Sequence, residues 1–305
     1  MTRATWKSAS AVGWILLLTA VAVVVAAPAT EAMHRVFAPG DVFVALRTGE
    51  VQWRHPDGTL NAILVGTVPG KVEGMGFDAR GNLYVSHYCL DPTCLTGNSV
   101  EAFDPSGMPH GPFGSGYNCN PYSIVFDAAG RAYVGQADCT GDILLFDANG
   151  TLQRSFGAAW DRRGAPWVDL APDGCTLFYT SQGTNVKRYN VCADAQLPDF
   201  NLAPLPGGQA DALRILPDGG VLVANTTVIV RLDATGALVQ LYDVPGEFEL
   251  WYGLDLVGDG TFWASNYGTS NLYRFDIATG SVLLSFNAGT PTTTVKGVAV
   301  VRAPR

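Results

Sequence analysis

The clearest pattern in the chain is an alternation of short apolar runs and Gly-containing polar turns. The segment from Val72 reads VEGMGFDARGNLYVSH, and the segment from Pro121 reads PYSIVFDAAGRAYVGQ. Each is an apolar strand, a polar turn and a second strand, which is the pattern of a β-hairpin. Related copies begin at Trp167, Asp211 and Trp251. The pattern therefore predicts an all-β chain with repeats of about 45 residues.

A second hairpin follows the first one in each repeat. Its marker is an apolar residue before a polar turn, as in AFDPSG ending at Gly107 and LFDANG ending at Gly150. The first hairpin carries its own turn glycine, at a position where a positive φ is often required. These glycines are Gly81, Gly130, Gly174, Gly219 and Gly260. Two hairpins make a four-stranded unit, which is the size of a propeller blade.

The two ends of the chain complement each other. Residues 295–301, VKGVAVV, resemble a first strand with nothing after it, and residues 41–65 resemble strands two to four with nothing before them. Together they predict one composite blade that closes the ring and removes open sheet edges. The sequence thus predicts a single six-bladed β-propeller over residues 41–305, in preference to an open solenoid or a β-sandwich.

The first thirty residues differ from the rest. Arg3 and Lys7 precede an uncharged run from Ala11 to Ala27, which ends in a small-residue Ala-Pro-Ala site. This pattern predicts a cleaved secretory signal peptide over residues 1–29, followed by a short segment over residues 30–40. The alternative is an uncleaved membrane anchor, although the run of about 17 residues is shorter than the ~20 that span a bilayer. We therefore expect a secreted or periplasmic protein with no membrane span after the signal peptide.

Charge and cysteine content narrow the class of partner. The chain of 305 residues has a net charge of −8 and six cysteines. An acidic surface disfavours nucleic acid, so we expect the partner to be a small molecule, a glycan or a protein. We also expect a monomer. Cysteines in an exported chain favour disulfides. The hairpin positions predict the pairs Cys119–Cys139 and Cys175–Cys192, and they leave Cys89 and Cys94 to each other.

Two of the repeat motifs carry a family resemblance. NPYSIVFDAAGRAYVG from Asn120 and ALRILPDGGVLVAN from Ala212 resemble the motifs of NHL-repeat propellers. They are also similar to those of the neighbouring gluconolactonase/regucalcin-like and streptogramin-lyase-like families. The resemblance covers essentially the whole chain after the signal peptide and implies the propeller fold. It specifies activity only weakly, because its residues are turn and core residues.

In this architecture the first strand of every blade lines a central channel. The loops before the first strand and after the second strand lie on one face, which we call the channel mouth. Alignment of the repeats by their turn glycines places two rings of side chains there. The inner-strand ring is Glu73, Tyr122, Pro166, Asp211, Tyr252 and Lys296. The second-strand ring is His87, Gln136, Ser181, Asn225, Asn266 and Leu46.

Polar and aromatic side chains that converge in a concave mouth predict a ligand-binding site. The candidates are Glu73, His87, Tyr122, Gln136, Trp167, Asp211, Asn225, Trp251, Tyr252, Asn266 and Lys296. The alternative is the polar, water-filled mouth that any propeller has. Two rows deeper, Asp169, Arg214 and Asp255 align in three consecutive blades. An Arg between two carboxylates predicts a structural network between blades or, as the alternative, a site for a charged ligand group.

Two function hypotheses remain. The first is a non-enzymatic module that binds a ligand or a protein at the channel mouth, and the second is a metal-dependent hydrolase, lactonase or lyase. The gluconolactonase-like resemblance implies a divalent metal held by carboxylates, and Glu73 and Asp211 stand at comparable positions, where hard oxygen ligands suit Ca²⁺ or Mg²⁺. The chain has no G-x-S-x-G, H-E-x-x-H or phosphate-loop motif. The sequence therefore favours binding, assigns no catalytic residue and leaves catalysis open.

Overall fold

The computed structural model describes residues 1–2, 36–90, 97–118 and 120–303. Within these ranges the chain forms 24 β-strands and no helix. No helix capable of crossing a membrane occurs in the described part of the chain. Most of the expected signal peptide lies outside the described residues, so its cleavage stays a prediction.

The strands form six four-stranded sheets, and each sheet is one blade. Strands are numbered in chain order. The closing blade consists of β24 (Val295–Val300), β1 (Val42–Leu46), β2 (Glu50–Arg54) and β3 (Leu60–Val65). Blade 1 consists of β4 (Lys71–Phe77), β5 (Leu83–Tyr88), β6 (Ser99–Phe103) and β7 (Pro109–Phe113). Blade 2 consists of β8 (Pro121–Phe126), β9 (Ala132–Gln136), β10 (Ile143–Phe146) and β11 (Leu152–Phe156).

The remaining three blades have the same order. Blade 3 consists of β12 (Val168–Leu170), β13 (Thr176–Tyr179), β14 (Lys187–Asn190) and β15 (Ala195–Leu197). Blade 4 consists of β16 (Leu213–Ile215), β17 (Val221–Asn225), β18 (Val228–Leu232) and β19 (Leu238–Tyr242). Blade 5 consists of β20 (Trp251–Leu256), β21 (Thr261–Asn266), β22 (Asn271–Asp276) and β23 (Val282–Asn287). The structure confirms the six-bladed β-propeller.

The composite closing blade is also confirmed. β24 pairs antiparallel with β1, with Val42 opposite Val300 and Val44 opposite Val298. All four valines are buried in one cluster. The two ends of the propeller are therefore joined by a hydrogen-bonded ladder and by an apolar core.

Local turn chemistry explains why the strands begin and end where they do. In blade 1 the Asp78 carboxylate accepts hydrogen bonds from the backbone N–H groups of Arg80 and Asn82, both at 2.9 Å. This is an Asx-turn, which holds the chain in a reversal. Gly81 completes the turn at φ 83°. Asp127 makes the same contacts with Ala129 and Arg131 in blade 2. A glycine with a positive φ stands in the first turn of each of blades 1 to 5, at Gly81, Gly130, Gly174, Gly219 and Gly260, and it sets a common register.

The blades pack on one another through apolar faces. Tyr84 and Phe113 of blade 1 meet Phe126 and Phe146 of blade 2, with ring centroids 4.6 and 5.8 Å apart for Tyr84–Phe126 and Phe113–Phe146. The inner strand of each blade contacts the inner strands of the blades on either side. The inner strands thus form a ring in which blade 3 faces the closing blade across the channel.

The cysteines divide into one shown pair and two that stay predictions. Cys175 and Cys192 form a disulfide with a Cα–Cα distance of 5.2 Å, as predicted. Cys89 and Cys139 are disulfide-bonded as well. Their predicted partners, Cys94 and Cys119, lie outside the described residues.

Candidate functional site

Four members of the inner-strand ring meet at the centre of the mouth. The Tyr252 hydroxyl donates to Glu73 Oε2 at 2.8 Å, and Lys296 Nζ lies 3.4 Å from the same oxygen. The hydroxyls of Tyr122 and Tyr252 hydrogen-bond each other. These residues come from blades 1, 2, 5 and the closing blade, so only ring closure can bring them together. All four are buried, and we call them the central group.

Two aromatic rings stabilise the ammonium group of Lys296. Its Nζ lies 4.1 Å from the ring centroid of Tyr252 and 4.4 Å from that of Tyr267. A cation over a ring face is stabilised by the quadrupole of the ring. Arg47 donates to the Tyr267 hydroxyl at 2.7 Å. Lys296 therefore lies between the Glu73 carboxylate and the faces of two aromatic rings.

Asp211 lies near the central group and is buried too. Its Oδ1 accepts hydrogen bonds from Gln182 Nε2 at 3.2 Å and from Gln209 Nε2 at 3.1 Å. Burial raises the pKa of Asp211 to about 7, and the charge of Glu73 adds to this, while the two amides and Lys296 oppose it. Asp211 is thus a carboxyl that changes charge near neutral pH.

Trp167 forms the floor of the mouth. Its ring centroid lies 5.9 Å from that of Tyr122 and 6.3 Å from that of Tyr252. The far edge of the indole faces Gly74 of blade 1 and Gly297 of the closing blade, where an added Cβ would lie 3.2 and 3.3 Å from it. Because Trp167 belongs to blade 3, its side chain crosses the channel to reach the opposite blades.

The sequence carries a signal for this floor, which the alignment of the two rings missed. One position after each residue of the inner-strand ring, the six blades hold one large side chain and five small ones. They are Gly74, Ser123, Trp167, Ala212, Gly253 and Gly297. A single Trp among five small residues is the pattern of one side chain filling the space that the other five leave.

Three members of the second-strand ring hold the loops of the mouth. Asn266 Oδ1 accepts from the backbone of Gly268 at 2.8 Å, and its amide donates to the Phe248 carbonyl. The Asn225 amide donates to the Pro206 carbonyl, and Gln136 Oε1 accepts from the Asn118 backbone at 3.0 Å. Each of the three is buried. Their visible role is to fix backbone, and ligand contact by any of them stays a prediction.

His87 and Trp251 also make packing contacts. His87 Nε2 lies 3.5 Å from Glu101 Oε2 on the third strand of blade 1, and both side chains are buried. Trp251 packs edge-on against Tyr273 and Phe275 at 5.6 and 5.8 Å between centroids. The structure thus places these two candidates among the strands of their blades, while Glu73, Tyr122, Trp167, Tyr252 and Lys296 meet at the centre.

A polar pocket lies to one side of the central group, over blades 3 and 4. Its volume is about 460 Å³. Its polar lining consists of Asp161, Arg162, Gln182, Thr184, Asn185, Gln209 and Thr226. Gln182 and Gln209 are the two residues that donate to Asp211. The pocket therefore adjoins the titratable carboxyl, and a ligand can enter it without moving the buried central group.

The residues of this pocket were not among the sequence candidates, because they lie in loops outside the repeat pattern. Gln182 and Thr226 have φ values of 55° and 43°. A positive φ is uncommon for residues other than glycine, and such strained residues cluster at functional sites. The sequence offers one signal for this pocket. Gln182 directly follows Ser181 of the second-strand ring, and Gln209 stands two residues before Asp211 of the inner-strand ring.

The predicted metal ligands have other partners. Glu73 pairs with Lys296, and Asp211 accepts from two amides. In the described ranges, no group of three or more His, Cys, Asp or Glu side chains is arranged to hold a metal ion. Glu73 and Asp211 thus have no described third ligand of these types.

Comparison with known proteins identifies the fold. No protein-family model matches the sequence, and a search of curated proteins also finds no match. Among solved structures, a chain of a nidogen/laminin complex superimposes with a TM-score of 0.70 at 12% identity, covering 86% of this chain and 98% of that one. A protein of unknown function from Bacteroides caccae gives 0.68 at 14% identity, covering 87% and 100%. Virginiamycin B lyase from Staphylococcus aureus, a streptogramin-lyase-like structure, gives 0.56 at 11% identity, covering 74% and 73%. At these identities the chain is similar to each of them in fold alone, and that fold is the six-bladed β-propeller.

Proposed function

We propose that this propeller is a binding module of the NHL-like kind, which takes a small, neutral, hydroxyl-rich ligand such as a sugar in the polar pocket of its mouth. The supporting observation is a pocket lined by amide and hydroxyl side chains and backed by Asp211 through Gln182 and Gln209. The Cys175–Cys192 disulfide supports an exported protein, since disulfides persist in oxidising compartments.

The chemistry of the lining favours this ligand class. Amides and hydroxyls both donate and accept hydrogen bonds, as the hydroxyls of a sugar do. The acidic group of the pocket, Asp161, is paired with Lys187 at 2.8 Å, so its charge is already balanced. Arg162 also lines the pocket, but it is exposed, so solvent screens its charge. The volume of about 460 Å³ also lies within the range of small-molecule sites.

A binding screen of neutral mono- and disaccharides by saturation-transfer NMR, followed by calorimetry on each hit, tests the proposal. Gln209→Ala removes one lining amide and one donor to Asp211, so it is expected to weaken binding about fivefold to tenfold. Gln153→Ala is the matched control, because Gln153 lies exposed on the outer strand β11 of blade 2. Absence of any sugar hit, or equal affinity in all three proteins, would place the functional surface elsewhere.

The second candidate function is the metal-dependent hydrolase or lyase. It is favoured by the closeness of Glu73 to Asp211, since burial raises the pKa of Asp211 and the charge of Glu73 adds to that rise, and a cation between the two carboxyls would offset the second effect. A metal that binds the folded state raises the melting temperature. A rise on addition of Ca²⁺ or Mg²⁺ that disappears in Asp211→Asn would support this candidate, and unchanged melting would argue against it.

A further inference from the structure

A second chamber opens at the opposite end of the channel, among the turns that join the first two strands of the blades. Its volume is about 830 Å³. Phe37, Phe77, Ile124 and Val300 contribute an apolar wall. Its residues Asp169, Arg214 and Asp255 stand two positions further along their inner strands than Trp167 and the residues aligned with it. The chamber and the polar pocket share no lining residue, so the two can bind different ligands.

Buried charges lie at the inner end of the chamber. Asp255 Oδ1 accepts from Arg214 Nε at 2.7 Å and from Arg302 Nη2 at 2.8 Å. Its other oxygen accepts from the Val300 backbone at 2.9 Å, across the junction between blade 5 and the closing blade. Asp169 likewise accepts from the Ile215 backbone of the next blade at 2.8 Å. The carboxylates therefore tie neighbouring blades together, which is the structural network expected from the sequence.

The two arginines keep donors that this network does not use. Arg214 Nη1 donates to the Leu213 carbonyl at 3.0 Å, whereas Nη2 makes no hydrogen bond to a described residue and is not fully enclosed. Arg302 Nε donates to the Leu256 carbonyl at 3.3 Å, and its Nη1 likewise makes no hydrogen bond within the described ranges. Both side chains line the chamber. A guanidinium offers five donors in a fixed plane, so the unused ones remain available to an acceptor inside the chamber.

The acceptor that suits two neighbouring guanidinium groups is an anionic oxygen pair. Guanidinium and carboxylate match in geometry and form charge-assisted hydrogen bonds. Asp78 and Asp127 also line the chamber, but each carboxylate accepts hydrogen bonds within its own turn. Asp169 and Asp255 offset the positive charges of the two arginines, so a singly charged anion should bind with modest affinity and a multiply charged anion should be disfavoured. The apolar wall would cover a hydrocarbon body attached to that charge.

We propose that the chamber binds an amphipathic monocarboxylate, with the carboxylate on the free donors of Arg214 and Arg302 and the apolar body against Phe37, Phe77 and Val300. This site is distinct from the sugar pocket of the mouth and does not depend on it. It assigns a binding role to the end of the propeller that carries the strand-joining turns.

Calorimetric titration of the full chain with hexanoate and with 1-hexanol tests the assignment. The two probes share a hydrocarbon chain and differ in charge, so hexanoate is expected to bind at least about tenfold more tightly. Arg302→Gln is expected to reduce hexanoate affinity about tenfold. It is the preferred variant because the Arg302 side chain is 45% exposed, whereas Arg214 is buried in the network and its loss endangers folding.

Two control variants distinguish binding in this chamber from binding at another surface of the propeller. Arg154→Gln removes an exposed arginine on β11 and should leave hexanoate binding unchanged. Gln209→Ala should also leave it unchanged, since Gln209 belongs to the mouth. Equal binding of hexanoate and hexanol, no hexanoate binding, or identical affinity in Arg302→Gln and the native chain would overturn the proposal.

Discussion

Aspartate shows how far the surroundings of one residue type decide what it does in this protein. The partly exposed Asp233 accepts hydrogen bonds from the hydroxyl and backbone of Thr235 and from the backbone of Ala237, and these lower its pKa. Asp211 is buried, and burial raises its pKa to about 7. The charged Asp233 carboxylate stabilises a turn, whereas the Asp211 carboxyl beside the candidate pocket has a pKa near neutral pH.

The two aspartates predict opposite pH dependences of stability. Between the ordinary pKa of 3.8 and about 7, the folded chain holds the Asp211 proton that the unfolded chain has released, so Asp211 costs stability as pH rises through this window. Asp211→Asn removes that cost. The melting temperature of the variant relative to the native chain should therefore increase from pH 4 to pH 8.

Asp233→Asn is the control of opposite sign. Because the pKa of Asp233 is lowered on folding, its contribution is present above its ordinary pKa and is lost as pH falls through the lower, folded value. This variant should be less stable than the native chain at neutral pH and should approach it in acid. Melting curves of Asp211→Asn that run parallel to those of the native chain would contradict the raised pKa.

The residues that could be predicted from the sequence are those whose position follows from the repeat. The turn glycines fix the register, and alignment on them placed Glu73, Tyr122, Tyr252 and Lys296 in one ring, where their side chains meet. Alignment gives the position of a residue along its strand but not the contacts that its side chain makes with neighbouring strands. For this reason His87 aligned with the mouth while its side chain packs inside its blade. The polar pocket could not be found in this way, because loops such as 182–185 do not repeat.

At the scale of the strand, the close approach of inner strands depends on glycine. An added Cβ at Gly74 of β4 would overlap the Tyr122 carbonyl of β8, and one at Gly297 of β24 would overlap the Glu73 carbonyl of β4. Each overlap is with backbone, which cannot turn aside. The same two glycines leave room for the edge of Trp167. Glycine on an inner strand thus determines both how tightly the blades meet and how the channel is closed.

Gly74→Ala should therefore destabilise the propeller. The strands must separate to admit the methyl group, and overpacking of this kind costs about 1–3 kcal/mol of unfolding free energy. Gly157→Ala is the matched control, because a Cβ there meets nothing within 4 Å and the backbone is outside the positive-φ region. Urea unfolding of both variants measures the difference. Equal unfolding free energies would show that the inner strands are less tightly packed than the structure indicates.

At the scale of the whole molecule, the strand that closes the ring also completes the central group of the mouth. β24 completes the closing blade, and it also carries Lys296 to Glu73 and Tyr252. The backbone of Val300 on the same strand donates to Asp255 in blade 5. The last strand therefore joins the chain ends, the mouth and the network at the opposite end of the channel.

Deletion of residues 295–305 should consequently abolish the native fold rather than fray one edge. The deletion exposes β1 along its length and uncovers the cluster of buried valines. Lys296→Met keeps the strand and removes the ion pair with Glu73, so it should retain the fold and separate closure from the loss of one charge.

A synthetic peptide of residues 294–303, added to the truncation that lacks 295–305, should restore part of the melting transition in a concentration-dependent way, because it supplies the missing strand as a ligand of the open ring. If the truncated chain melts like the native chain, or if the peptide binds without raising the melting temperature of the truncated chain, the pairing of β24 with β1 is not what holds the propeller closed.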